Sequence, residues 1–220
     1  MIEQQSYRVF LNEDWELRDL YEFPHALSQC YSFVYCLDSD LKPRDRERIK
    51  IAIKEYPWRG GFSYVNIYAV LANQIHGPDR PRIKSIQKAS PGWLDLLINV
   101  NVAYQLAGAL TVLSGAVVSA IAAYKKANQL LIAVNTARRK ANADSVKATA
   151  EELRGINAMC VELAKHLGFK SLRELHEHTG DPEVSLKLLM AHYRRMSMLL
   201  NYSKKGKAIL SLPKIPPQGS

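Results

Sequence analysis

The chain has 220 residues, 47% of them apolar, and a formal net charge of +9. That is enough apolar material for a sizeable core, so most of the chain should fold. Three cysteines do not make a disulfide framework, and Cys30, Cys36 and Cys160 read as buried free thiols of a reducing compartment.

The charge is unevenly placed. Residues 1–124 carry 13 basic and 13 acidic side chains, whereas residues 125–220 carry 17 and 8. An excess confined to the second half points to an anionic partner: an acidic protein, an anionic membrane surface or nucleic acid.

In chain order, Tyr7–Leu11 alternates, is rich in β-formers and reads as a strand. Asn12–Asp14 turns the chain and can cap a helix from Trp15. Phe23-Pro24 restarts that helix, since proline suits a first turn. Leu27, Tyr31, Val34, Tyr35 and Leu37 form its apolar side. A second helix runs from Pro43 to Glu55, and Tyr56–Gly61 breaks it. Ser63 caps a third, whose apolar residues keep helical spacing to Ile75. Ile83–Ile98 then reads as a β-hairpin turning at Ser90-Pro91-Gly92, with Gly92 taking the positive φ of a type II turn. Strand and hairpin predict a three-stranded antiparallel sheet covered by three helices.

Leu96–Tyr124 contains no charged residue and exceeds the ~20 residues that cross a bilayer as a helix. Asn99, Asn101 and Gln105 are costly in hydrocarbon, and the rest is mostly small. Small side chains four apart place Ala107 with Thr111, Gly115 with Ser119, and Ala116 with Ala120 on shared faces. Together with Gly108 these are the expected oligomer or membrane surface. The segment is either a buried or oligomerising helix or a membrane-inserted one. No basic apolar leader precedes it in MIEQQSYRVF, so the reading is cytoplasmic, with inner-membrane association through this helix as the second possibility.

The remainder reads as helix. Leu153, Ile156, Met159, Cys160, Leu163 and Leu167 share a face, and Gly168 ends that helix. Ser171–Glu174 matches a capping box, and Thr179-Gly180 stops the short helix that follows. Asp181-Pro182-Glu183 starts the next with a cap, a first-turn proline and an acid against the helix dipole. The proline-containing tail from Lys204 is expected to be disordered.

Chemistry is sparse. The six histidines lack HExxH spacing, no paired CxxC occurs, and there is no G-x-S-x-G. Catalytic, metal and cofactor sites are therefore all read as none, and no small-molecule substrate is indicated. Trp58–Gly61 is a plain turn rather than a P-loop, because it lacks the lysine and the spacing. Leu163–Phe169 followed by Ser171–His178 has the alanine and glycine of a helix-turn-helix, but Glu174 and Glu177 suit a major groove poorly. Arg138, Arg139, Lys140 and Lys147 are the candidate residues for an anionic partner.

The stretches Tyr56–Gly61, Arg82–Trp93 and Asp181–Leu188 resemble those of a group of small bacterial proteins. The Ile-x-Ser-Ile-x-x-x-Ser-Pro-Gly hairpin followed by an apolar helix is similar to adaptor and membrane modules of bacterial conflict (antiphage) systems. The resemblance implies an α/β adaptor unit ahead of a membrane or oligomerising helix, and it transfers no functional residue.

The expected fold is α+β: a small N-terminal antiparallel sheet with helices, then a long apolar helix and an α-helical C-terminal region. The expected units are 1–98, 99–126, 127–203 and a tail 204–220. The expected function is a non-enzymatic adaptor or effector that forms a homo-oligomer through the apolar helix. Its alternative is a nucleic-acid-binding module using the basic helical half.

Overall fold

The computed structural model describes residues 5–12, 14–38, 40–56, 63–89, 91–140, 149–169 and 172–212. Among these residues the fold is α+β, with eight helices, a small antiparallel sheet and a helical C-terminal region.

Four strands, β1 (Gln5–Leu11), β2 (Arg82–Gln87), β3 (Gly92–Ile98) and β4 (Ala208–Leu210), lie in the order β2-β3-β1-β4. The alternation in β1 is used as expected: Tyr7, Val9 and Leu11 are buried, while Arg8 and Phe10 face outward. β1 pairs with β3 along its length, Arg8 opposite Asp95 and Phe10 opposite Trp93. Arg8 Nε and Nη2 donate to the two Asp95 carboxylate oxygens at 2.7 and 2.9 Å, and the Arg8 guanidinium lies 4.8 Å over the Trp93 ring.

The hairpin forms, but not with simple alternation. The β2–β3 register shifts between Ile83 and Ser85, so Lys84 is the extra residue of a bulge. Ile83 and Ile86 therefore share the helix-facing side, opposite Leu96 and Leu94. Gly92 is not among the positive-φ glycines. It is needed for close approach: a Cβ there would sit 2.6 Å from the Gln87 carbonyl oxygen and 3.1 Å from the Ala89 amide nitrogen. Ser90 lies outside the described residues.

Helix α1 spans Leu17–Cys36 without a restart, and Pro24 sits inside it. Proline removes one N–H from the ladder, but the Leu20 side that loses the bond is exposed to water, while Phe23 through Cys36 anchor the helix in the core. Its cap is Glu16, whose N–H donates to Asp19 at 3.0 Å, rather than residues 12–14. Helix α2 (Pro43–Glu55) has the expected bounds, and α3 (Ser63–Gln74) includes the expected cap Ser63 as its first residue and ends one residue before Ile75. Residues 57–62, including the Trp58–Gly61 turn, lie outside the described residues.

The uncharged run is not one rod. It forms the end of β3, α4 (Val100–Gly115) and the start of α5 (Val117–Lys140), the two helices bent by 92°. Then come α6 (Ala150–His166), α7 (Arg173–Thr179) and α8 (Pro182–Lys204). Thr149 and Glu152 cap α6 reciprocally. Asp181 caps α8 through the Glu183 N–H at 2.7 Å, and Gly180 closes α7 at φ 65°. Ser171 lies outside the described residues.

Helix α8 is buried on nearly every side and packs against α1, α3, α4, α5, α6, α7 and β4. Buried residues from both halves of the chain form one cluster, so the boundary expected at residue 98 separates no two cores. The tail expected from Lys204 begins as structure. Lys207 Nζ donates to Asp19 at 2.7 Å, the Asn12 N–H donates to the Lys207 carbonyl at 2.9 Å, and β4 pairs with β1. An antiparallel pair with β1 buries Ala208 completely, a contact that local composition does not encode. Residues 213–220 lie outside the described residues.

Candidate functional site

The polar residues of the uncharged run have local uses. Asn99 Oδ1 accepts from the Asn101 and Val102 N–H groups at 3.1 and 3.4 Å, capping α4, while Asn101 and Gln105 face water. Val102, Ala103, Leu106, Ala107, Leu110 and Leu113 turn α4 into the core. Ala120, Ala123, Ala127, Leu131 and Val134 do the same for α5. Each helix has one inward face, and the bend at Ala116 lets both faces reach the same interior.

What remains outside is an uncharged elbow. Thr111, Ser114, Gly115, Ser119 and Ala122 are exposed, along with Val112 at 46%, Val118 at 84% and Ile121 at 41%. Thr111 Oγ1 donates to the Ala107 carbonyl at 3.1 Å, and Ser119 Oγ to the Ala116 carbonyl at 3.0 Å. Their hydroxyl protons are already used within the helix, so covering this surface strands few donors.

The seven residues expected to form one contact surface are divided. Ala107 and Ala120 belong to the chain's own core, Gly108 and Ala116 are half-buried, and Thr111, Gly115 and Ser119 are exposed. A Cβ at Gly108 or Gly115 would meet nothing within 4 Å, so no contact inside the chain requires glycine there.

The basic candidates are divided too. Arg138 Nη2 donates to Glu183 at 2.8 Å, and Lys187 Nζ donates to the same carboxylate at 2.7 Å. Burial alone would push the Glu183 carboxyl up; its bonds to Arg138 and Lys187 outweigh that and hold it below its ordinary value. Arg138 thus ties the end of α5 to the start of α8. Arg139 and Lys140 are exposed, and Lys147 lies outside the described residues. Sequence reasoning missed Lys125 and Lys126 as members of the same face. They are exposed and precede Arg139 and Lys140 by two heptads, about 21 Å along α5 on nearly the same side.

Other reactive groups are enclosed. Burial pushes the Cys160 thiol up to about 12 and raises Cys30 and Cys36 as well. His176 Nδ1 lies 3.0 Å from Ser185 Oγ, a spacing that a nucleophile and its base would have. Yet Ser185 is fully buried, touches Thr179 Oγ1 at 2.7 Å and donates to the Asp181 carbonyl at 3.1 Å. The pair fastens α7 to α8. Among the described residues no group of three or more His, Cys, Asp or Glu could hold a metal ion.

No family model, curated protein or solved structure matches this chain.

Proposed function

We propose that the protein is a non-enzymatic adaptor that assembles into a homo-oligomer through the α4–α5 elbow. The exposure of Val112, Val118 and Ile121 on an uncharged cap carries this reading. Covering aliphatic side chains contributes roughly 25 cal/mol per Å² of apolar surface, and no charge on the cap opposes it. The cap adjoins Lys125 and Lys126, so the basic side of α5 lies beside the contact and would face an acidic protein or an anionic membrane. No single helix among the described residues is long and apolar enough to cross a membrane, while α4 and α5 together have the length and composition of a bent span, so a bilayer is the second reading of the elbow's partner. A place in antiphage defence rests on the resemblance of the hairpin and apolar helix to conflict-system adaptors.

Sedimentation equilibrium tests the proposal. The full-length protein should associate with rising concentration, and Val118→Glu with Ile121→Glu should leave a monomer of unchanged melting temperature. A monodisperse monomer without these substitutions would overturn it. Salt-resistant flotation with anionic vesicles, lost in the same variant, would assign the elbow to lipid instead. The alternative, nucleic-acid binding, is favoured by the line of Lys125, Lys126, Arg139 and Lys140. It predicts binding that weakens steeply with salt and ignores the elbow variant.

A further inference from the structure

A second surface lies on the sheet. Strand β2 is an edge of the sheet: β3 pairs with one side of it, and no strand among the described residues pairs with the other. All six of its residues are exposed. The bulge at Lys84 turns two isoleucines to the helix-facing side, where Ile83 is 60% exposed and Ile86 55%. Edge strands that only need protection carry charge on a short or twisted edge. This one also carries two large aliphatic side chains left more than half exposed.

Those side chains border a groove. One cavity of about 200 Å³ and another of about 220 Å³ share Pro24, Ile83 and Leu94 in their walls; the first runs under the sheet past Tyr7 to Leu210, facing α1 and α4, and the second opens between α1 and Ile83 and Ile86 at the β2 edge. Leu20 and Phe23 line its α1 wall, and Leu94 its sheet wall. An apolar trough beside an edge strand is the arrangement into which an added strand lays alternate side chains while its backbone continues the sheet.

Charge selects the occupant. Residues 80–94 contain Arg80, Arg82, Lys84 and Lys88 and no acid. A second copy pairing through the same edge would bring two strands together that both carry only positive charge, and like charges placed opposite one another are destabilising. An acidic strand meets the opposite condition. We infer that the β2 edge and its groove bind an extended, acidic segment of a partner protein, with its apolar side chains against Ile83 and Ile86 and its carboxylates beside Lys84 and Lys88. The inference rests on the adaptor reading for the partner being a protein.

The probe is an acetylated, amidated peptide alternating glutamate and valine, titrated into the full-length protein with tryptophan fluorescence and amide chemical shifts as readouts. Trp15 lines the groove and Trp93 pairs with Gln87 of β2, so both report on it. Binding should shift the amides of β2, weaken about tenfold or more in Ile86→Glu, and weaken similarly in Lys84→Glu with Lys88→Glu. The charge-reversed protein should instead prefer the lysine–valine peptide. All three positions are exposed, so these variants should keep the native melting temperature. Absence of β2 shifts at low salt, equal binding of glutamate and lysine peptides, or a dimer that Ile86→Glu dissociates would each overturn the inference. The elbow variant should bind the peptide normally, which separates failure at this edge from failure of self-assembly.

Discussion

His192 is fully buried, stacked 4.1 Å from Phe33, and neither ring nitrogen has a hydrogen-bond partner among the described residues. Desolvation lowers its pKa from 6.5 to about 3. The unfolded chain therefore takes up this proton first as pH falls. Its contribution is complete above pH 6.5 and is lost progressively toward pH 3, with a slope of at most about 1.4 kcal/mol per pH unit. His192→Phe should flatten the stability curve in that window, read by urea denaturation, and should raise stability at pH 7 by about 1 kcal/mol. His176 and His178, also lowered by burial, leave a residual slope of the same sign. At the hairpin, Gly92→Ala forces a Cβ against the Gln87 carbonyl and should cost about 1–3 kcal/mol by thermal denaturation. A hairpin break next to Pro91 was legible in the sequence, but the reason for the glycine that follows it was not. A positive φ and a close approach leave the same letter in the sequence.

The element boundaries that the sequence revealed most clearly are those with local chemistry. Pro43 opens α2 and Asp181-Pro182 opens α8 because cap and first-turn signals act within a few residues. The bend between α4 and α5 had no such signal. Gly115-Ala116 resembles any small-residue stretch, and the turn is dictated by where the distant α6 and α8 offer a surface. The same holds for the candidate contact residues. Spacing placed Ala107, Ala120 and Gly115 together, and only packing separates the first two into the interior. On α5 the inward positions nearest the bend, Ala120, Ala123 and Ala127, are alanines, and Leu131 and Val134 follow; α6 packs against this helix, where a Cβ at Gly155 would lie 3.4 Å from Leu130. Ala123→Leu, at a position with no exposed surface, should therefore cost about 1–3 kcal/mol, whereas Val118→Leu should change stability by less than about 0.5 kcal/mol. Equal melting temperatures for the two would contradict the assignment of faces.

At the scale of the whole molecule, the fold class was legible because alternation gave the strands and helical spacing gave the bundle. Contacts that join distant positions of the chain were not legible. Tyr202 stacks on Trp15 and donates to Asp19, and Tyr7 donates to the Ser211 carbonyl at 2.8 Å. None of these pairs leaves a local trace. Ending the chain at Gly206 removes β4 and the completely buried Ala208, uncovering part of β1. The shortened protein should lose about 2 kcal/mol or more in denaturant unfolding. An unchanged midpoint would show that residues 207–212 only decorate the sheet.

The position of β1 between β3 and β4 has a consequence for how the protein is made. Strand β1 is interior to the sheet, and one of its two neighbours is synthesised some 200 residues after it. At about 5–20 residues per second, that strand waits roughly 10–40 s for its second partner. During the wait, the β1 edge that β4 will occupy is open to any chain able to add a strand, a neighbouring nascent copy included. The interval is set by topology rather than by the strength of any contact. A chaperone that shields apolar strand edges should therefore raise the yield of folded protein during synthesis more than it raises the stability of the finished molecule.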